Sequence, residues 1–307
     1  LFGALQLPPN TRNGGGDGMD LFLQQLINGV IIGSTYAVVA IGFALVFTVL
    51  RVINFAHPEI FMTGMFAGLL AGSHISDNFF VVLIFGAIGA GAVGLTLERF
   101  VLRPLRGRDV LMTLIGTLGV AIMLQNGMAK FMSPDPVAYP KSLQVSLLLS
   151  DEIILTSTQA VNFIVSILLL AGVSFYVRKT RYGRATRAIA ERPDVAAAFG
   201  VDVNRVSQVT VALASVMAGI AAVSVGILYG SAWAFVGLFY GLKAFICMLV
   251  AGNRYFEGVI LVAMMLGVIE ALVTGYVSSN FRDVAAFTIL ICVLYFRPNG
   301  LFGSYDT

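Results

Sequence analysis

Charge is what this sequence has least of: 16 Asp and Glu and 19 Lys and Arg stand among 307 residues, 11% in all. A soluble domain uses about 25% charged residues to cover its surface, so a water-facing globule is excluded. With 58% apolar residues and a mean hydropathy of +0.90, most of the solvent is lipid. Cysteine is scarce too. Cys247 and Cys292 lie inside apolar runs, which argues against a disulfide framework or a zinc site and reads as two buried, inert thiols. No G-x-x-x-x-G-K-[ST] run exists, so the chain cannot hydrolyse ATP by itself, and energy for any pumping must come from a partner or a gradient. The formal G-x-G-x-x-G at Gly89, Gly91 and Gly94 lies inside an apolar run rather than after a strand, and reads as helix packing. No Ser/His pair or cluster of His, Asp and Glu shares a depth in the apolar runs, which argues against a membrane-embedded enzyme. The sequence therefore implies no catalytic residue, cofactor or metal site.

What is present is a succession of apolar runs. Only helices and closed barrels satisfy every backbone group in hydrocarbon, and these runs are far longer than barrel strands of roughly 10 residues. The predicted fold is an all-α polytopic membrane protein of eight to ten crossings at about 20 residues each. Nine spans are placed near 26–50, 58–72, 79–97, 111–131, 159–177, 208–229, 235–251, 259–277 and 284–296. The second, seventh and ninth are short for a full crossing, so tilted, broken or re-entrant helices are expected there. Residues 1–18, with Pro8, Pro9 and Gly14 to Gly16, lack the basic start and apolar core of a signal peptide and read as a disordered leader or expression remnant; Met19 is the candidate start. Residues 19–307 form one transmembrane domain. With the N-terminus outside and the C-terminus inside, 14 of the 19 basic residues fall in cytoplasmic segments, the arrangement the positive-inside rule favours. The outer loop 132–158, with three prolines, reads as a structured cap or connector.

The cytoplasmic segment 178–207 is the most informative stretch. Its first helix, 183–191, places Arg187 and Glu191 at i,i+4 and stops before Pro193, which disfavours helix at Arg192. A second begins with Pro193 and Asp194, runs through Ala196, Ala197 and Phe199, and ends at Gly200, a residue suited to the left-handed C′ conformation. Two turns cannot stand alone, so something must order them. Insertion into a cleft of another protein and a seat on anionic headgroups are both compatible with the residues.

At this point the residues resemble a known family. Gly183-Arg184-Ala-Thr-Arg187-Ala-Ile-Ala-Glu191, then Ala196-Ala-Ala-Phe-Gly200-Val-Asp-Val-Asn-Arg205, is similar to the cytoplasmic coupling loop of the branched-chain amino-acid ABC importer permeases, the LivH/LivM family. The resemblance runs along nearly the whole chain from Met19. It includes Asn28-Gly-Val-Ile-Ile-Gly-Ser-Thr-Tyr-Ala37, Ile53-Asn-Phe-Ala-His57, Glu98-Arg-Phe-Val-Leu-Arg-Pro104, Leu124-Gln-Asn126, Gly241-Leu-Lys-Ala-Phe245 and Arg297-Pro-Asn-Gly-Leu-Phe-Gly303, in an order most like the H-type subunit. Two stretches depart from the family pattern: Pro58 stands where glycine is usual, and Gly252-Asn-Arg-Tyr-Phe-Glu-Gly258 where a glycine-rich stretch is usual. The resemblance implies an importer of branched-chain or related apolar amino acids in a bacterial inner membrane. Its partners would be two ATP-binding subunits, a second, LivM-like permease subunit and an external substrate-binding protein, with residues 183–200 docking into the ATPase. Urea or short amides are the alternative cargo within that architecture, and a gradient-driven carrier the alternative outside it.

Polar groups inside the spans are few, and each costs several kcal/mol if it faces lipid. Lys243 and Glu270 fall at matching depths, roughly 12 and 10 Å below the outer end of antiparallel spans, which predicts an ion pair or a shared polar cluster. Asn54, His57 and Glu59 group at the start of span two, where a wet cytoplasmic boundary and the helix dipole would account for them and gating is the alternative. Asn28, Ser34, Thr35 and Tyr36 in span one, with Gln125 and Asn126 in span four, could line a path for an amino acid or bond across helices.

Overall fold

The computed structural model describes residues 17–140, 155–252 and 256–302. Residues 1–16 of the expected leader 1–18, the middle of the loop 132–158, residues 253–255 of the unusual Gly252 to Gly258 stretch and residues 303–307 lie outside the described residues, while Asp17 and Gly18, expected in the leader, open α1. Helices dominate. In chain order they are α1 (Asp17–Leu50), α2 (His57–His74), α3 (Phe79–Leu97), α4 (Arg103–Leu105), α5 (Val110–Phe131), α6 (Ser157–Lys179), α7 (Arg181–Glu191), α8 (Pro193–Ala198), α9 (Val203–Tyr229), α10 (Val236–Ala251), α11 (Phe256–Tyr276) and α12 (Arg282–Phe296). A π-helical turn, Glu98–Leu102, joins α3 to α4, and a 3-10 turn, Ser279–Phe281, precedes α12. Each of the nine predicted spans is a helix, and seven stretches among the described residues are long and apolar enough to cross a membrane. The exceptions are α2 and α10, two of the three spans expected to be short.

The packing follows from where the small residues lie. Helix α1 has 34 residues, about 51 Å by its rise, and forms the central post. In its most apolar stretch 83% of residues are buried, against 72% in α9, 17% in α5 and 6% in α12. The latter two ride at the periphery. Glycines let α1 and α11 approach backbone to backbone: a Cβ on Gly29 would lie 2.5 Å from Val268 Cα, and one on Gly33 2.8 Å from Met264 Cα. Gly64 of α2 meets Gly219 of α9 in the same way. The glycines of the G-x-G-x-x-G pattern also face packed neighbours: Ala67, Val216 and Ser215.

Two breaks in this lattice matter for function. Residues 51–56 turn back along α1, so α2 starts beside Gly42, where a Cβ would lie 3.0 Å from His57 Nε2. That is about 12 Å along α1 from its C-terminal end. On the other side of the fold α9 ends at Gly230, whose φ of +67° closes the helix. Ser231–Ala232 pairs antiparallel with Val137–Ala138, and the chain turns straight into α10. Helix α10 has 16 residues, about 24 Å, less than the roughly 30 Å of a hydrocarbon core. The N-termini of α2 and α10 meet, with Pro58 seated against Gly237 and Gly241. The proline that departs from the family pattern thus fills a notch made by two glycines.

The described part of the loop between α5 and α6 is a wedge. Tyr139 is buried between α2 and α9 and its hydroxyl donates to Met65 O at 2.5 Å. One cysteine differs from expectation: Cys247 is buried, whereas Cys292 faces outward from α12, because that helix buries only Ala286.

Candidate functional site

The first polar centre is built from four helices. Lys243 Nζ donates to Glu270 Oε2 at 2.9 Å, as the matched depths predict, and to Tyr36 Oη at 3.1 Å. Tyr36 Oη donates to the same carboxylate oxygen at 2.8 Å. Two residues that sequence reasoning left in an outer loop complete the group. Arg282 donates to Glu270 Oε2 at 2.7 Å and to Tyr36 Oη at 2.6 Å, and Asp283 lies 3.1 Å from Lys243 Nζ. Two cations meet two anions, so the centre is neutral. Glu270 and Tyr36 are fully buried, and Glu270 Oε1 finds no partner among the described residues. The signal for Arg282 was its place on the side poor in basic residues, where an arginine needs a reason to be.

The second centre is the junction of the α2 and α10 N-termini. Asn54, His57 and Glu59 come together there, but not at a wet boundary: they are 1%, 0% and 3% exposed. The cause is the return of residues 51–56 into the helix layer. Neither helix start has a side-chain cap, and Glu59, in the first turn of α2, brings its Oε2 to 3.1 Å from where a Cβ on Gly237 in the first turn of α10 would stand, so its acid group lies against the starts of both helices. Both ring nitrogens of His57, Asn54 Nδ2 and Glu59 Oε2 have no partner among the described residues. Between the two centres runs an aromatic column: Tyr36 against Tyr240, Tyr240 stacked on Phe61 at 5.0 Å, and Phe43 against both His57 and Phe245.

The remaining polar candidates scatter. Ser34 bonds back to Ile31 O at 2.7 Å within its own helix, and Thr35 accepts from Asn162 of α6 at 2.9 Å. Asn28 accepts from Gln159, also of α6, at 3.3 Å. Gln125 and Asn126 lie on peripheral α5, away from both centres, with Asn126 exposed and donating to Ile122 O.

The third centre is the α7–α8 hairpin. Thr180 caps α7 by accepting from Gly183 N at 2.9 Å. Gly183 must be glycine, since a Cβ would strike Val177 Cα at 2.7 Å where α7 folds back on α6. Gly183, Thr186 and Ile189 face inward; Arg184 and Arg187 face out. Among the described residues no ion pair joins Arg187 to Glu191. Helix α8 ends as predicted, with Gly200 at φ +84° and the paired bonds Val201 N to Ala196 O and Gly200 N to Ala197 O. Ala196 is buried in a small apolar cluster with Val49, Ile189 and Val206, so it faces the membrane domain rather than outward. The outward face carries Val195, Ala197 and Phe199, the last 85% exposed.

A polytopic bundle of apolar helices, two of them too short or too polar to cross alone, around buried ion pairs defines an integral membrane protein. The family described as "Branched-chain amino acid transport system / permease component" matches residues 25–294, and the chain belongs to it. It is 34% identical over 294 residues to the high-affinity branched-chain amino acid transport system permease protein LivH of Salmonella typhimurium, across 92% of this chain and 96% of that one. It is 33% identical over the same length and shares to LivH of Escherichia coli and to BraD of Pseudomonas aeruginosa, which carries the same description.

Proposed function

We propose that this chain is one of two permease subunits of an ATP-driven importer of branched-chain or related apolar amino acids. An external binding protein delivers the ligand, two ATP-binding subunits grip the cytoplasmic hairpins, and the chain lies N-out and C-in in a bacterial inner membrane. The names of the relatives support the cargo. The observation that carries the mechanism is α8, six residues long, uncovered on its outer face and bearing an apolar Phe199 with no cover of its own. Such a helix needs a protein cleft. Gly183, Pro193 and Gly200 shape the hairpin; Val195, Ala197 and Phe199 are the docking face; Arg184 and Arg187 flank it. Glu59, His57 and Asn54 at the helix junction are the polar station inside the bundle. The Tyr36, Lys243, Glu270 and Arg282 group anchors four helices around it. The basic segments around Arg106 and Asn204 touch, at 2.8 Å, which supports their lying on one side of the membrane.

The test is uptake by proteoliposomes containing both permease subunits and both ATP-binding subunits, with the external binding protein supplied. Leucine, isoleucine or valine should drive ATP hydrolysis and accumulate, and Ala197→Arg should abolish accumulation while leaving the permease pair folded. Transport without any ATPase subunit would show a gradient-driven carrier, and uptake of urea in place of leucine would reassign the cargo.

A further inference from the structure

The helices on either side of α8 are each held by an arginine from a turn elsewhere in the chain: Arg51 bonds the end of α7 and Arg106 the start of α9. At the entering end, Pro193 stops α7 and leaves its last carbonyls without amide donors. The guanidinium of Arg51, the first residue past α1, donates to Ala190 O and to Glu191 O and so closes the C-terminus of α7 with a cation. Arg51 adopts φ +56°, the left-handed region that a non-glycine residue enters at a cost, and it is the one such residue among those described. At the leaving end, Arg106 Nη1 donates to Asn204 Oδ1 at 2.8 Å, two residues beyond the cap of α9, Asp202. Its other arm donates to Glu98 Oε1 at 3.2 Å, on the π-helical turn that ends α3; Glu98 is fully buried. Burial lowers the proton affinity of Arg106 and Glu98 opposes that, so the guanidinium remains a cation.

We infer that Arg51 and Arg106 are positioning residues that divide a displacement of α8 between two routes, one through residues 51–56 into the start of α2 and the other into α3. This rests on reading 181–200 as the coupling hairpin. The routes end at different places. From Arg51 the chain runs through residues 51–56, where Phe55 N donates to Thr117 of α5, directly into His57 and the α2–α10 junction. From Arg106 it runs through Glu98 into α3, which packs on α2 and α9 along the Gly86 and Gly219 contact. Beneath α8, Val49, Ile189, Ala196 and Val206 form an apolar bearing, and Thr186 lies 3.5 Å from Thr210 of α9. Apolar contacts are non-directional and let a helix roll. Charge-assisted hydrogen bonds fix direction, and the two arginines supply them to the helices that flank α8, at the end of α7 and the start of α9.

The experiment uses the complete complex in proteoliposomes, with Arg51→Ala, Arg51→Lys, Asn204→Ala and the Arg51→Ala/Asn204→Ala double variant. Asn204 is exposed, so its truncation removes the second tie while leaving Glu98 paired with Arg106. The ATPase subunit should stay bound in all of them, while the ATP hydrolysed per amino acid imported rises on the order of tenfold in each alanine single variant. The double variant should be worse than either, and Arg51→Lys should recover part of the loss because an ammonium still donates to carbonyls. An unchanged ratio with the ATPase bound would overturn the inference. So would dissociation of the ATPase from Arg51→Ala, since the arginine would then only hold the hairpin in shape. Ala197→Arg keeps the two readings apart: normal uptake by that variant removes the coupling hairpin itself, whereas blocked uptake with indifferent arginine variants removes only the ties.

Discussion

Glu270 Oε2 receives donors from Tyr36, Lys243 and Arg282, so two cations converge on a single buried carboxylate oxygen, with Asp283 as the second acid against Lys243. Removing one partner of such a pair is far costlier than removing both, because the survivor stays desolvated. Glu270→Gln should therefore destabilise the domain by about 3–5 kcal/mol, seen as a lower unfolding temperature in detergent. The double variant Lys243→Met/Glu270→Gln should regain at least half of that shift, since Arg282 keeps its bond to Tyr36. Equal melting of the two variants would show that the pair carries no coupling. Depth counting along two antiparallel spans was enough to join Lys243 to Glu270. Arg282 was not legible in the same way: it lies where helix periodicity has not yet begun, and only the 3-10 turn before α12 aims it inward.

Glycine placement decides how close the helices come. Gly33→Val should cripple folding, because its Cβ would already overlap the α11 backbone, whereas Gly119→Val on α5 should be neutral in stability, with nothing within 4 Å of its Cβ. Expression level and melting of the two variants side by side measure this, and equal behaviour would contradict the α1–α11 seam. The hairpin was legible almost to the residue, since Pro193 and Gly200 act through local backbone sterics that need no partner. The short helices were legible as short. What could not be read was where they begin. A wet boundary for Asn54, His57 and Glu59 follows from assuming that a loop stays at the surface, and the return of residues 51–56 along α1 breaks that assumption.

The positive-inside bias applies to the whole chain, and it predicts one orientation for the molecule. In a variant with Cys247→Ala and Cys292→Ala, a cysteine introduced by Asp135→Cys should react with an impermeant maleimide on intact cells. One introduced by Arg205→Cys should react only after the inner membrane is opened. The reverse pattern would invert the topology. Composition and the length of apolar runs were sufficient for the fold class and the spans, and Pro193 and Gly200 for the hairpin, because each acts locally, on one segment and its solvent or on its own backbone. The meeting of the α2 and α10 N-termini, the fourfold polar group around Glu270 and the two arginine ties belonged to the tertiary structure alone. Those depend on which helix faces stand opposite one another, and a lipid-soluble helix of this composition carries too few distinctive side chains to announce its neighbours before packing has chosen them.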